Sequence, residues 1–222
     1  MIGQVWSHLT KELRIEGRSM DALISMLFFS LLVVVVFSIA FDPRGAFSRE
    51  IAGGVLSVAI LFAASSALGQ VWSREIRHNV IDAQRMVPAP PAALFLAKVL
   101  ANFLFVMLVQ VILAPVFFIF YNLEIVGNGW LLFLALPLGT WALVVNGVFF
   151  AALSLGSRNR ELLLALILFP IFIPALLALV QATTAILTGD SDPWLWLKML
   201  TGYDIIFTTL SLLLFDVVFE AA

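Results

Sequence analysis

Residues 73–91 read SREIRHNVIDAQRMVPAPP and form the one sizeable charged insertion between long apolar runs in this chain. Apolar side chains recur in the segment at helical spacing, at Ile76, Val80, Ala83 and Val87, and prolines at 88, 90 and 91 end the pattern. The flanking runs, 51–72 and 92–120, are each long enough to cross the roughly 30 Å hydrocarbon layer of a bilayer as a helix. This order predicts membrane-spanning helices joined by an exposed amphipathic segment that is offered to a partner.

The composition of the whole chain supports a membrane protein. Its 222 residues are 63% hydrophobic and 12% charged, with a mean hydropathy of +1.10, whereas the surface of a soluble domain of this size needs more polar side chains. The net charge of −2 gives nucleic-acid binding no electrostatic support. Because the chain has no cysteine, disulfides, thiolate metal sites, cysteine catalysis and covalent haem attachment are excluded.

Six apolar runs reach the length of a transmembrane helix: 22–41, 51–72, 92–120, 130–155, 161–187 and 200–219. They are continuously apolar and lack the alternation of barrel strands, so we predict an all-α integral membrane protein with six transmembrane helices in one domain over 1–222. The first run is longer than the apolar core of a signal peptide, and its basic flank also holds acidic residues. Residues 1–20 are therefore expected in the mature protein.

The positions of lysine and arginine predict how the chain is oriented. Most of the 12 basic residues precede the first run or follow the second and fourth runs. Arg44, Arg49 and Lys198 lie in the segments on the other side of the membrane, where acidic residues also gather. The positive-inside rule then predicts both termini and the 73–91 segment in the cytoplasm. Six spans are consistent with this prediction, because an even number of spans puts both termini on one side.

Residues 1–20 are predicted to form an amphipathic helix on the cytoplasmic membrane surface. Trp6, Leu9 and Leu13 follow helical spacing, and basic side chains such as Arg14 and Arg18 fill other positions. Two interpretations stay open. The helix is an anchor that only sets topology, or an elbow helix that also forms part of a docking surface.

Polar side chains are few within the apolar runs. The amides are Asn102, Gln110, Asn146 and Gln181, and the carboxyls are Asp204 and Asp216. The amides are expected to make hydrogen bonds between helices. An ionisable group in a span is a candidate for function, but Asp204 falls near the outer boundary of the sixth run and Asp216 near its inner end. These positions favour structural or interfacial roles.

Pro170 and Pro174 lie within the fifth run, in LFPIFIPALL, so this helix is predicted to be kinked or broken. A broken helix in a transporter often borders the substrate path, whereas a plain kink has no such role. Small residues in the second and fourth runs predict close helix packing: Ala59, Ala63, Ala67, Gly139 and Gly147.

Motifs for nucleotide hydrolysis and for common hydrolytic chemistry are missing from the sequence. It contains no G-x-x-x-x-G-K-[ST], no H-E-x-x-H and no G-x-S-x-G. The two histidines, His8 and His78, both fall on the predicted cytoplasmic side, which leaves no histidine or cysteine to ligate haem or a metal on the outer side. We therefore predict no catalytic residue and no metal site, and we do not expect the chain to be an enzyme.

Two segments resemble elements of ABC-2 type permeases. WSREIRHNVIDAQRMVPAPPAALFLAKVLANFLF, at 72–105, is similar to their coupling element, and KELRIEGRS, at 11–19, is similar to their elbow helix. Within that class the chain resembles the haem exporter protein B family, the permease of system I cytochrome c maturation. The resemblance is carried by residues 11–43, 73–90, 157–174 and 203–220, together with the chain length and the six-span plan.

The resemblance implies a permease subunit of an ATP-binding cassette complex in the bacterial inner membrane. A cytoplasmic ATPase subunit would bind ATP and Mg, and the permease would couple hydrolysis to haem export or to release of a haem-loaded periplasmic chaperone. Implied partners are that ATPase, a second permease copy, a haem-handling membrane protein, the chaperone and the lipid bilayer, with no nucleic acid. Haem is a candidate cargo, with its passage through this chain left open, and no cofactor is expected to be bound by this chain.

On this interpretation the 73–91 segment is the coupling helix. Its apolar face would enter a groove of the ATPase, and its charged side chains would form the polar rim of the contact. The residues assigned to this contact are Glu75, Ile76, Arg77, Val80, Asp82, Ala83, Arg85 and Met86. The alternative is a solvated loop without a partner.

Two other functions remain compatible with the sequence. One is the permease subunit of another ABC-2 system that exports a lipid, a polymer or a drug. The other is an ion- or proton-coupled carrier, which needs buried acidic residues near the membrane midplane. The sequence places none clearly at that depth.

Overall fold

The computed structural model describes residues 2–41, 46–72, 75–76, 90–122, 127–155 and 160–221. These residues form seven α-helices and one short 3₁₀ turn, and they contain no strand. The helices are α1 (Ile2–Ser19), α2 (Asp21–Ala40), α3 (Ala46–Gln70), α4 (Pro91–Tyr121), α5 (Leu132–Leu153, preceded by the 3₁₀ turn Gly129–Leu131), α6 (Arg160–Thr188) and α7 (Trp194–Ala221).

Six of these helices, α2 to α7, are long and apolar enough to cross a membrane. They coincide with the six predicted runs, so the all-α fold with six candidate spans is confirmed. The amphipathic helix predicted at the N-terminus is α1. The helix predicted within 73–91 lies almost wholly outside the described residues.

A left-handed residue separates α1 from α2. Met20 has φ 53° and ψ 5°, a conformation that a non-glycine residue seldom adopts. The Glu16 side chain stabilises the turn, because its Oε1 accepts a hydrogen bond of 3.0 Å from the backbone N–H of Ala22. That bond satisfies one of the free donors at the start of α2.

Side-chain contacts define two ends of the bundle. At one end, which we call the loop end, Glu12 of α1 meets Lys98 of α4, and Trp72 meets Phe215 near the C-terminus of α7. At the other end the rings of Trp130 and Trp194 are 6.5 Å apart. The chain therefore runs back and forth between the two ends. Residues near both termini and both flanks of the 73–89 segment share the loop end.

The core of the bundle is formed mainly by α3 and α5, which have the largest buried shares. The predicted ladder Ala59, Ala63 and Ala67 is buried along α3. Close packing is also seen at Gly147, where an added Cβ would overlap the side chain of Leu68. The small residues thus serve helix packing, as predicted.

Two expectations about the spans meet the structure differently. α6 continues through Pro170 and Pro174, so it is not broken there, while a kink stays a prediction; both prolines are exposed on the surface of the chain. The last helix begins at Trp194 rather than at 200, because Pro193 precedes it and the Asp192 carboxylate accepts a 3.0 Å hydrogen bond from the Trp194 N–H. This earlier start changes the depth of Asp204.

Candidate functional site at the loop end

The side chain of Lys98 is the centre of a buried ionic cluster at the loop end. Lys98 is 1% exposed, and its Nζ lies 2.7 Å from Glu75 Oε1, 3.3 Å from Glu12 Oε1 and 2.9 Å from the backbone oxygen of Val71. An ammonium group has three donors, and here each has an acceptor. The cluster therefore joins α1, the segment that follows α3, and α4 through one charged group.

The charges around Lys98 balance within a few ångströms. Lys11 Nζ lies 3.5 Å from Glu12 Oε1 and 4.0 Å from Glu75 Oε1, so two ammonium groups face two carboxylates. A buried charge is tolerated only when it is paired and hydrogen-bonded. Lys98 and Glu75 form the buried core of the cluster, and Lys11 and Glu12 form its partly exposed edge.

The ring of Trp72 packs directly against Lys98. Lys98 Nζ lies 4.5 Å from the centre of the Trp72 ring, a cation–π contact between two buried side chains. The same ring stacks on Phe215 of α7, with centroids 6.4 Å apart, and its Nε1 donates to the backbone oxygen of Val148 in α5 at 3.5 Å. Trp72 thus extends the contacts of Lys98 to α5 and α7.

One flank of α1 rests on α4 beside the cluster. Leu9 is buried against Ala97 and Ala101, and Leu13 is partly buried in the same contact. Trp6 and Arg14 are exposed and lie outside this contact, and the side chain of Arg18 lies outside the described residues. The predicted apolar face of the N-terminal helix is therefore divided, since Leu9 and Leu13 contact protein whereas Trp6 does not.

His8 lies beside the same cluster. It is the one histidine among the residues that the structure describes. Burial lowers the pKa of His8 below its usual value of 6.5, and the positive charges of Lys11 and Lys98 lower this pKa further, against an opposing effect of Glu12. The imidazole is therefore held in its neutral form near neutral pH.

The residues predicted for the coupling contact are described only in part. Arg77, Val80, Asp82, Ala83, Arg85 and Met86 lie outside the described residues. Ile76 is 39% exposed, whereas Glu75 is 6% exposed. The sequence pattern predicts Glu75 in the polar rim of a partner contact, but the structure places its carboxylate inside the bundle against Lys98.

Most predicted polar residues of the spans serve contacts between or within helices. Asn146 of α5 donates to the Tyr203 hydroxyl of α7 at 3.2 Å, and this hydroxyl donates to the backbone oxygen of Ile171 in α6 at 2.8 Å. Ile171 lies in the turn between the two prolines of α6, so the hydrogen bonds tie that turn to two neighbouring helices. Gln110 likewise donates to Thr140 across α4 and α5.

Within the described part of the chain, no such interhelical bond is made by Asn102, Gln181 or Asp216. Asn102 donates to the backbone oxygen of Lys98 in its own helix, at 2.8 Å. Gln181 and Asp216 are exposed on the surface of the chain. The described residues therefore give Asn102 and Gln181 no interhelical role, and Asp216 lies near the C-terminal end of the last helix, where it was predicted.

Asp204 lies deeper than the sequence predicts. With α7 starting at Trp194, it stands ten residues along the helix, or roughly 15 Å from its start, about half-way across the hydrocarbon layer. It is 7% exposed, and neither carboxyl oxygen has a hydrogen-bond partner among the residues that the structure describes. The boundary position expected for this residue was wrong, because the start of the helix was placed too late.

A small cleft opens beside the ionic cluster, between α1, α2, α3 and α4. Its polar lining is Glu12, Glu16, Gln70, Glu75 and Asn102, and Ala22, Met26 and Phe105 are among its apolar neighbours. Within the described part of the chain, no group of three histidine, aspartate or glutamate side chains could hold a metal ion. The site is therefore a junction of charged and aromatic side chains.

Lys98 and Trp72 are the two residues that sequence reasoning missed. Lys98 was counted only among the basic residues that follow the second run, and Trp72 only as the last residue of that run. The usable signal was a lysine seven positions into an apolar run, because an ionisable side chain inside a span needs a partner. Glu75 and Glu12 were the acids within reach of the same membrane surface.

Comparison with known proteins agrees with the fold. The family model described as CcmB protein matches residues 3–219. The chain is 34% identical to "Heme exporter protein B" of Pseudomonas aeruginosa over 196 residues, which cover 87% of each chain. It is 31% identical to the protein of the same name from Rhodobacter capsulatus over 169 residues, 76% of this chain and 77% of that one. The chain therefore belongs to the CcmB protein family.

Proposed function

We propose that this chain is the membrane permease subunit of an ATP-binding cassette complex in cytochrome c maturation. The observation that carries the proposal is the family match over residues 3–219, together with relatives named heme exporter protein B. The six candidate spans supply the membrane domain of such a complex. The chain couples ATP hydrolysis by a separate ATPase subunit to haem export or to release of the haem-loaded chaperone.

The segment 73–89 is the part of the chain on which the ATPase acts when it hydrolyses ATP. Its flanks are fixed in the bundle, at Trp72 and Glu75 on one side and at Lys98 on the other. The basic residues of the sequence favour a cytoplasmic position for this end. The ATPase contacts the segment through Ile76, Val80 and the charged side chains around them, while Glu75 holds the segment to the membrane domain.

The role of the chain is mechanical, and its cargo is haem. The sequence has no cysteine, and both of its histidines fall on the predicted cytoplasmic side. The far end of the bundle therefore lacks the side chains that most often bind haem iron. A haem-handling membrane protein and a periplasmic chaperone receive the cargo, with a second permease copy completing the complex in the bacterial inner membrane.

The buried Asp204 is the one observation that favours a different function. A carboxyl group without a partner at mid-depth is a typical feature of ion-coupled carriers. A carrier of that kind would work without an ATPase. The two functions are therefore separated by the dependence of activity on ATP hydrolysis.

The test is complementation of a bacterial strain that lacks its own gene of this family. Cells that carry this chain should form c-type cytochromes, detected as covalently bound haem in membrane proteins after gel electrophoresis. A substitution in the ATP-binding lysine of the accompanying ATPase should abolish the signal. Normal c-type cytochromes in the uncomplemented strain, or a signal that persists with the inactive ATPase, would overturn the proposal.

A further inference from the structure

The described ends of the 73–89 segment meet at one buried ammonium group. Glu75, five residues after the end of α3, and Lys98, the eighth residue of α4, are in contact at 2.7 Å. Val71, at the end of α3, provides a second acceptor at 2.9 Å, and Glu12 of α1 provides a third at 3.3 Å. A displacement of the segment cannot move one of these helices without straining the bonds to the others.

We propose that Lys98 and Trp72 are positioning residues for energy coupling. They hold α1 and the two helices that flank the 73–89 segment as one unit, so that a push on the segment moves the unit as a whole. This inference rests on the proposed function, in which an ATPase supplies the push. Neither residue was assigned to the contact with the partner from the sequence.

A contribution to stability alone does not account for a lysine at this position. Desolvation of a buried ion pair cancels most of its electrostatic gain, and well-packed apolar side chains often stabilise a protein equally well. A fully paired ammonium does fix direction and distance, since its three donors must point at three acceptors. Lys98 therefore sets the geometry of the loop end.

Trp72 carries the displacement from this unit to the rest of the bundle. Its ring contacts Lys98 on one side and stacks on Phe215 of α7, which is itself 4.8 Å, centroid to centroid, from Phe95 of α4. All three rings are fully buried. Because close-packed interiors yield little, a shift of Trp72 must be passed to the C-terminal part of α7.

The first experiment compares Lys98→Met with the matched control Lys198→Met in the complementation strain. Methionine keeps the length of the lysine stem without its charge, and Lys198 is an exposed residue of α7. Three measurements are made on each variant. They are the amount of chain in the membrane, the amount and the ATP hydrolysis rate of the ATPase that co-purifies with it, and the amount of c-type cytochrome. The control should equal the unmodified chain in all three.

For Lys98→Met we expect ATPase recovery and ATP hydrolysis per chain within about twofold of the unmodified chain, while c-type cytochrome falls by about fivefold or more. Glu75→Gln should give the same separation, and Glu12→Gln a smaller one, because Glu12 is farther from Lys98 and partly exposed. A role in folding alone would lower all three quantities together. Normal cytochrome formation in Lys98→Met would overturn the inference.

A second variant covers the case in which Lys98→Met is lost from the membrane. Trp72→Phe keeps an aromatic ring on Phe215 but removes the indole N–H that reaches Val148. It should be inserted normally and still lower cytochrome formation at unchanged ATP hydrolysis. Equal cytochrome formation by Trp72→Phe and the unmodified chain would then contradict the inference. Failure of the proposed function is recognised separately, because the unmodified chain would already fail to complement.

Discussion

The ammonium of Lys98 lies 2.7 Å from the carboxylate of Glu75, and this pair connects the start of the charged 73–89 segment to α4, the helix that follows it. Both side chains are almost fully buried at the loop end of the bundle. The 73–89 segment is thus attached to the membrane domain by a mostly buried ion pair, which salt and water screen less than a surface pair. Its flanks are packed into the bundle, which is the arrangement that a mechanical input needs.

Glu75→Ala should destabilise the protein strongly, because it leaves the ammonium of Lys98 buried with a weaker set of acceptors. Loss of one partner of a buried ion pair costs about 3–5 kcal/mol, and the remaining contact with Glu12 places the expected value near the lower limit. The measurement is the midpoint of thermal unfolding in detergent. Glu50→Ala, at an exposed position of α3, is the matched control. Equal midpoints for the two variants would contradict the paired state of Lys98.

Gly53→Ala should weaken the contact between α3 and α6. An added Cβ at Gly53 would overlap the backbone nitrogen of Thr184, so one of the helices must shift. Such overpacking costs about 1–3 kcal/mol. Gly202→Ala is the control, because no atom lies within 4 Å of its added Cβ. Thermal unfolding should separate the variants, with the midpoint of Gly202→Ala unchanged or raised. A midpoint for Gly53→Ala above that of the control would be inconsistent with the close approach.

Tyr203→Phe should loosen the turn of α6 between its two prolines. The substitution removes the hydroxyl that donates to Ile171 and accepts from Asn146, and leaves the Asn146 amide with its bond to Ala142 alone. The expected loss is about 1–2 kcal/mol, as for other hydrogen bonds between membrane helices. Tyr121→Phe, which removes a single weaker bond of 3.4 Å to Val34, should lose less. The measurement is thermal unfolding together with protease sensitivity. A larger loss for Tyr121→Phe would reverse the predicted order.

The spans and the loop end could be predicted to different extents. Continuous apolar runs of about 20 residues or more determine transmembrane helices, and the six were found for this reason. The start of α7 was missed because Trp194 and Trp196 are typical of a membrane boundary, whereas Asp192 and Pro193 in fact begin the helix there. The Lys98 cluster was missed because its members come from three separate parts of the sequence, and only helix packing brings them together.

Asp204→Asn should leave stability unchanged or raise it. The carboxyl oxygens of Asp204 are buried without a partner, so replacing a charge-bearing group by a neutral amide of the same shape removes a source of desolvation cost. Asp216→Asn, at an exposed position of the same helix, should have no effect. Thermal unfolding and complementation measure both properties. A fall in the midpoint with lost complementation for Asp204→Asn alone would show that its carboxyl group is used in transport, as an ion-coupled carrier requires.

Protonation of His8 at acid pH should weaken the packing of α1 against α4. The pKa of His8 is lowered in the folded protein, first by burial and then by Lys11, so the unfolded chain binds a proton more readily below about pH 6.5. Stability is therefore full above that pH and decreases as the pH falls from it towards the lowered pKa. His8→Gln keeps a neutral polar side chain and should remove this part of the decrease. The measurement is the rate of protease cleavage within α1 between pH 7.5 and 5.5, with Ser7→Ala, at an exposed neighbouring position, as the control. The same acid response in His8→Gln and the unmodified chain would assign the response to other groups of the cluster.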